Sequence, residues 1–220
     1  MRSNKTKSID SFLQDVQLAV QNGQNMEQVS IALDQYNFTA DKFTPAATLL
    51  DEAWALHAAQ KMAYGEQYAA TAALNEAFSA ADSLYTAHRT MAKLALRGDD
   101  QAKVALLLNE PKSRKVALRI AQAGVFYTNI LNEAALMERV ATYGLTVARL
   151  NEGETAVNHL SHLNAAQKKA KSAAQTATRT RDDVLNALQT WLSTFRAIAF
   201  IALTGTERQY LESLGFGPIT

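Results

Sequence analysis

The chain repeats itself at a fixed spacing, and this constrains its fold more than any single motif. Displaced by 107 positions, the sequence falls onto itself without a gap. Ala58-Ala59-Gln60-Lys61 lands on Ala165-Ala166-Gln167-Lys168, Arg89 on Arg196, Ala95-Leu96 on Ala202-Leu203, Gly98 on Gly205, Leu107 on Leu214 and Pro111 on Pro218. Fifteen of the 54 pairs from Ala58 to Pro111 are identical, more than an alanine-rich composition alone should give. The spacing predicts two tandem helical repeats, 5–111 and 112–218, joined at Pro111-Lys112-Ser113-Arg114. That joint is too short for a flexible tether, so the repeats are expected to be intertwined as one structural domain.

The fold of each repeat is set by its side chains. Three prolines and nine glycines in 220 residues leave long stretches without a helix breaker, and the alanine, leucine, glutamine and charged residues that fill them favour helix. The expected class is all-α. With 48% hydrophobic residues there is enough apolar material for a core.

Leu49, Ala53, Leu56, Gln60, Ala63 and Gln67 begin a series spaced alternately four and three apart. It stays in phase through Leu84, His88 and Met91 to Ala95. A turn would reset that phase, so one helix of about 50 residues, roughly 75 Å long, is expected. The second copy holds the same phase from Ala156 through Leu188 to Ala202. The expected architecture is an elongated helical bundle. Each repeat contributes shorter N-terminal helices, one long helix and a short C-terminal helix, and the rods cross or lie antiparallel near their alanine-rich centres.

Punctuation supports this plan. Ser8 or Asp10 can cap the first helix, Gln21 to Asn25 marks a pause, and Phe38 to Phe43 reads as a connection pinned to the core at both ends. Gly98 and Gly205 can close the long helices in the left-handed conformation, with Asp99 and Thr206 as caps for the short helices after them.

Residues that could carry chemistry are sparse. His159 and His162 lie three apart on one helix, a spacing that can supply two metal ligands. Lys168, Lys169, Lys171, Arg179 and Arg181 form an all-positive stretch that could meet phosphates, although the net charge of +1 supplies no global field. Nucleic acid is not expected as a partner, because few aromatic residues lie nearby for base stacking. His88 sits on the seam and becomes Phe195 in the second copy, which points to packing. Arg89 and Arg196 are kept in both copies, with an ion pair to Asp82, Asp182 or Asp183 as the expected use. The sequence shows no nucleophile elbow, phosphate-cradling glycine loop or paired acid and base, so no catalytic residue and no cofactor is implied.

Cysteine is absent, which fits a reducing compartment. The basic start is followed by Asp10, Gln14 and Asp15 and lacks the apolar core of a signal peptide, so a cytoplasmic location is expected. The longest apolar run, Ala197 to Leu203, is far short of the roughly 20 residues of a membrane span. Stable membrane insertion is not expected. The segment Tyr64-Gly65-Glu66-Gln67-Tyr68 and the closing stretch from Trp191 to Leu214 resemble uncharacterised bacterial proteins built of tandem helical units. The resemblance implies a bacterial, cytoplasmic, all-helical protein and brings no activity with it. The leading functional expectation is a noncatalytic scaffold or protein-interaction module, self-associating or binding an unknown protein. The alternatives are a small-ligand or metal-binding bundle and a membrane-active helical protein.

Overall fold

The computed structural model describes residues 8–216, so the outer repeat limits at Lys5 and Pro218 lie outside the described residues. In chain order the helices are α1 (Ile9–Asn25), α2 (Glu27–Asp34), a 3-10 turn (Ala40–Lys42), α3 (Thr44–Ala95) and α4 (Asp100–Ala105). Next come α5 (Val116–Asn132), α6 (Ala134–Ala141), α7 (Val147–Ala202), a 3-10 turn (Gly205–Gln209) and α8 (Tyr210–Ser213). Among the described residues there is no strand. Helices α1 and α5 have 17 residues each, α2 and α6 have 8 each, and the second of each pair starts 107 positions after the first.

The long helices are unbroken, at 52 residues for α3 and 56 for α7. Two compact units are formed, one from the chain up to Ala63 together with the chain from Ala174, the other from Tyr64–Ala173. Each unit therefore takes its pair of short N-terminal helices from one half of the chain and a segment of long helix from both halves.

In the first unit, Leu13, Val16 and Val20 of α1 pack on Ala46, Leu50 and Ala53 of α3 and Leu188 of α7. A second cluster joins Val29 and Leu33 of α2 to Phe38, Phe43, Phe195, Leu203, Leu211 and Leu214. Phe195 stacks on Trp191 (5.2 Å) and on Phe38 (5.3 Å), and Phe43 meets it edge-on at 5.3 Å. Each such pair adds about 0.5–1.5 kcal/mol beyond burial. Trp191 Nε1 donates to the Lys42 carbonyl at 2.9 Å, so the connection into α3 is held at both aromatic ends.

In the second unit, Tyr85 and Ala92 of α3 and Leu96 just past its end pack with Phe126, Tyr127 and Ile130 of α5, Leu136 and Val140 of α6, and Leu150 and Val157 of α7. Leu74, Ala81 and Leu160 form a further cluster with Phe78 and Ile120 beside them.

The two cores reach similar packing with different side chains. Positions 107 apart hold Val20 and Tyr127, Ala46 and Gly153, Phe195 and His88. In the second unit the Tyr127 ring lies so close to Gly153 that a Cβ there would overlap the ring and its hydroxyl. In the first unit the smaller Val20 leaves room for Ala46. The trade runs the other way at Gly23, where a Cβ would stand 2.5 Å from the Phe43 ring; the matching residues, Ile130 and Leu150, are aliphatic. Large residues thus face small ones within each unit, as close packing requires.

Helix ends obey the chain's punctuation in most places. Ser8 caps α1 by accepting from Ser11 N at 3.2 Å, and Asp99 caps α4 by accepting from Ala102 N at 2.9 Å. Gly98 and Gly205 take positive φ (85° and 57°). Asn37 and Gly144 do so after α2 and α6, where Phe38 N and Leu145 N donate back to the Leu33 and Val140 carbonyls, both at 3.2 Å. Two details differ from the sequence expectation. The first break comes at Met26, after the polar run at 21–25 has been absorbed into α1. Thr206 does not cap, because the chain beyond Gly205 starts as a 3-10 turn.

The seam also differs at its flanks. Ala53, Ala81 and His88 of the seam are buried, but Leu50, His57, Tyr85, Ala92 and Leu96, each one residue beyond it, are buried as well, while Leu49, Leu56 and Leu84 are only half-buried. A two-helix seam would bury about one residue per turn. Here α1 or α5 covers α3 from a second side, so the apolar face widens and its centre moves one residue along.

The Tyr127 and Gly153 contact gives a coupled prediction. Gly153→Ala should destabilise the protein by about 1–3 kcal/mol through overpacking. Combined with Tyr127→Val, which reproduces the first unit's pairing, the loss should fall short of the sum of the single losses by about 1 kcal/mol or more. Urea denaturation of the four proteins measures this, and additive losses would contradict the contact.

Candidate functional site

The strongest concentration of buried polar groups lies in the second unit, where α3 and α5 flank the segment from Leu106 to Lys115. Arg89 is buried, and its Nη2 donates to the carbonyls of Leu107 and Leu108, each at 3.0 Å, and to that of Glu110. Leu107 holds a left-handed φ of 53°, unusual for a branched residue, just after α4, where the amides of Leu106, Leu107 and Leu108 turn back to the carbonyls of Ala102, Val104 and Lys103. Arg89 partners the carbonyls of the segment that follows.

Arg119 of α5 donates to Asp82 and, through Nε at 2.9 Å, to the Ser113 carbonyl. Lys112 reaches Asp82 at 3.3 Å and the Thr86 hydroxyl at 2.5 Å. Gln122 accepts from Ser113 N at 2.9 Å and donates to the Pro111 carbonyl at 3.0 Å. The expected Arg89 to Asp82 ion pair is thus replaced: Asp82 is taken by Arg119 and Lys112, and Arg89 is taken by backbone.

One turn away, His88 Nδ1 and the Tyr127 hydroxyl are hydrogen-bond partners at 3.0 Å, both buried. Burial pushes the Tyr127 hydroxyl above its ordinary 10.0, helped by Tyr85 and Glu152. Burial also lowers His88 below its ordinary 6.5; Arg149 acts in the same direction and Glu152 against it. Both groups are therefore neutral at pH 7. The void lined by Tyr85 and Arg119 holds about 10 Å³, at the lower limit for one water.

Arg196 occupies the place in the first unit that Arg89 holds in the second, and it behaves differently. It is exposed, with its guanidinium over the Phe200 and Phe216 rings at 5.5 and 5.7 Å. The cleft beside it, lined also by Asp15, Gln189, Leu192 and Ser193, measures about 110 Å³. That is below the few hundred Å³ of ordinary ligand sites. Two open clefts of about 320 Å³ also lie in the first unit, one between α2 and the Phe38–Phe43 connection, the other beside Ile9 and Phe12.

The residues singled out from sequence lie apart from this cluster. His159 and His162 are both exposed on α7, and among the described residues no group of three or more His, Cys, Asp or Glu side chains could hold a metal ion. Lys168, Lys169 and Lys171 are exposed on the α7 segment of the second unit, and Arg179 is exposed on that of the first. Arg181 is largely covered and its Nε donates to its neighbour Asp182 at 2.9 Å, which neutralises one of the five charges locally. The residues that sequence reasoning missed are Arg119 and Tyr127. The signal for Arg119 was a charged residue in step with Ala123, Phe126 and Ile130 on the inner face of α5. No helix among the described residues is long and apolar enough to cross a membrane. No protein-family model, curated protein or solved structure matches the chain.

The lowered His88 has a consequence for stability. Unfolding returns the imidazole to its ordinary 6.5, so as pH falls the unfolded chain takes up the proton first. The contribution is complete above pH 6.5 and is lost as the pH falls from there through the lower folded value. Wild-type stability should therefore drop between about pH 7.5 and pH 5, and His88→Gln should show a smaller drop. Chemical denaturation at both pH values measures this, and equal slopes would place His88 outside the buried pair.

Proposed function

We propose that the chain is a tandem duplication, 5–111 and 112–218, and that it works as a noncatalytic helical scaffold or protein-interaction module. The duplication is supported by the matched lengths and 107-residue offsets of α1 with α5 and α2 with α6. It is further supported by the left-handed residue at the same place after α2 and α6, Asn37 and Gly144. Compensating size changes at Val20/Tyr127 and Ala46/Gly153 are what two copies diverging under a shared packing constraint would produce.

One observation carries the functional reading: the buried arginines and the buried His88 and Tyr127 pair are spent on holding the chain to itself. Arg89 fastens the segment after α4, Arg119 fastens the joint between the halves, and His88 fastens α3 to α5. Groups fixed in this way confer rigidity and a unique arrangement. The remaining surface for recognition is the outward side of the helices, where a second copy or another protein would bind.

Native mass spectrometry of the full chain tests this reading. The expected masses are the polypeptide alone or whole-number multiples of it. A stoichiometric metal ion or small molecule surviving purification would overturn the scaffold reading in favour of a ligand-binding bundle.

A further inference from the structure

We propose that the second unit binds single-stranded nucleic acid on the side of α3 and α7 that runs on past the start of α5, with Lys168 and Lys171 meeting phosphates and Tyr64 and Tyr68 stacking on bases. This goes beyond the scaffold reading and does not depend on it.

The side in question is defined by what α5 covers. Phe78 and Asp82 of α3, Val157 and Leu160 of α7, and Arg119 and Ile120 of α5 line one small void, and Arg119 donates to Asp82. Along a helix, 14 residues make about four turns and 11 make about three. Tyr64 stands 14 positions before Phe78, and Tyr68 stands 14 before Asp82, so both tyrosines lie on the side of α3 that faces α5. Lys168 comes 11 positions after Val157 and Lys171 11 after Leu160, which puts them on the matching side of α7.

The four residues also share a level. Helices α3 and α7 run antiparallel here, with Leu74 packing in the cluster of Leu160 and Tyr85 in that of the earlier Val157. Tyr68 is six residues back from Leu74 and Lys168 eight on from Leu160, roughly 9 and 12 Å along the two helices from one contact. Tyr64 and Lys171 follow about one turn farther on. Helix α5 begins beside that same contact, at Val116, so the strip beyond it is left open.

The strip is aromatic and basic. Tyr68 is 69% exposed in a run of alanines, its ring 6.4 Å from that of Tyr64, and neither ring joins a core cluster. Lys168 and Lys171 are exposed, and Arg114 and Lys115 add exposed positive charge at the start of α5. Glu66 is two positions from both tyrosines and Glu76 two from Phe78; at about 100° per residue, both are turned to the opposite side. Asp82 is already held by Arg119 and Lys112.

Charge and rings together select the occupant. Lysines alone would accept any polyanion, whereas rings among them suit one that offers flat bases as well as phosphates, and a single strand exposes both. The chain's own start, with Arg2, Lys5 and Lys7, has the wrong sign to neutralise the strip. No Phe, Tyr or Trp lies between Tyr143 and Trp191, so the rings reach these lysines only through the packing of α3 on α7.

Fluorescence anisotropy of a dye-labelled oligothymidylate with the full-length protein tests the proposal. The wild type should bind saturably at low salt and less tightly as salt is raised. Lys168→Glu combined with Lys171→Glu should weaken binding about tenfold or more and flatten its salt dependence. Tyr68→Ala should weaken it about fivefold or more with the salt dependence unchanged, and Tyr68→Phe should bind as the wild type does. Lys93→Glu, the same change of charge near the far end of α3, should cost no more than about twofold. No binding at low salt overturns the proposal and leaves the scaffold reading standing. Equal affinity for a duplex overturns it, and so does wild-type binding by Tyr68→Ala, which would point to an acidic protein segment as the partner.

Discussion

A helix of 50 residues cannot bury its own apolar face, and the rest of the structure answers that constraint. In α3 the buried positions run from Ala46 to Ala92, and they are covered by different partners along the way. In the first unit the cover is α1 with the last part of α7; in the second it is α5 with the first part of α7. Either half of the chain supplies only part of the cover that its own long helix needs. Burial of this kind, at about 25 cal/mol per Å² of apolar surface, is the main term that favours folding. Here it is gained only when both halves contribute.

Polar groups play a supporting part defined by the same constraint. The joint between the halves runs beside the core and brings backbone carbonyls and amides with it, and buried groups of this kind are costly unless paired. Arg89, Arg119, Lys112 and Gln122 provide those pairs. Arg196, by contrast, is exposed, with its guanidinium over the Phe200 and Phe216 rings.

Much of the fold was legible because it is written in local chemistry. Gly98 and Gly205 end the long helices, Ser8 and Asp99 cap as their side chains allow, and Phe38 and Phe43 anchor their connection from both ends. The uninterrupted phase of the small and apolar residues was enough to place two long helices. Anything set by three bodies rather than two could not be read. The shift from Leu84 to Tyr85 as the buried residue depends on α5 approaching α3 from the side. The partners of Arg89 depend on where the chain passes after α4. The size trade between Tyr127 and Gly153 joins positions on separate helices that no periodicity connects. Candidate ligand residues chosen by spacing alone, His159 and His162, are exposed on α7, while the densest polar cluster is built around Arg119, whose sign in the sequence was a charge out of place on an apolar face.

The central claim is that each compact unit requires segments from both halves of the chain, and its most direct test is to separate the chain between Pro111 and Lys112. Circular dichroism and sedimentation of residues 5–111 and 112–218, alone and mixed, would measure the dependence. The account predicts that neither half alone is a cooperatively melting monomer and that mixing the two restores the helicity and melting of the intact protein. A half that melts cooperatively as a monomer, at the temperature of the whole chain, would contradict it.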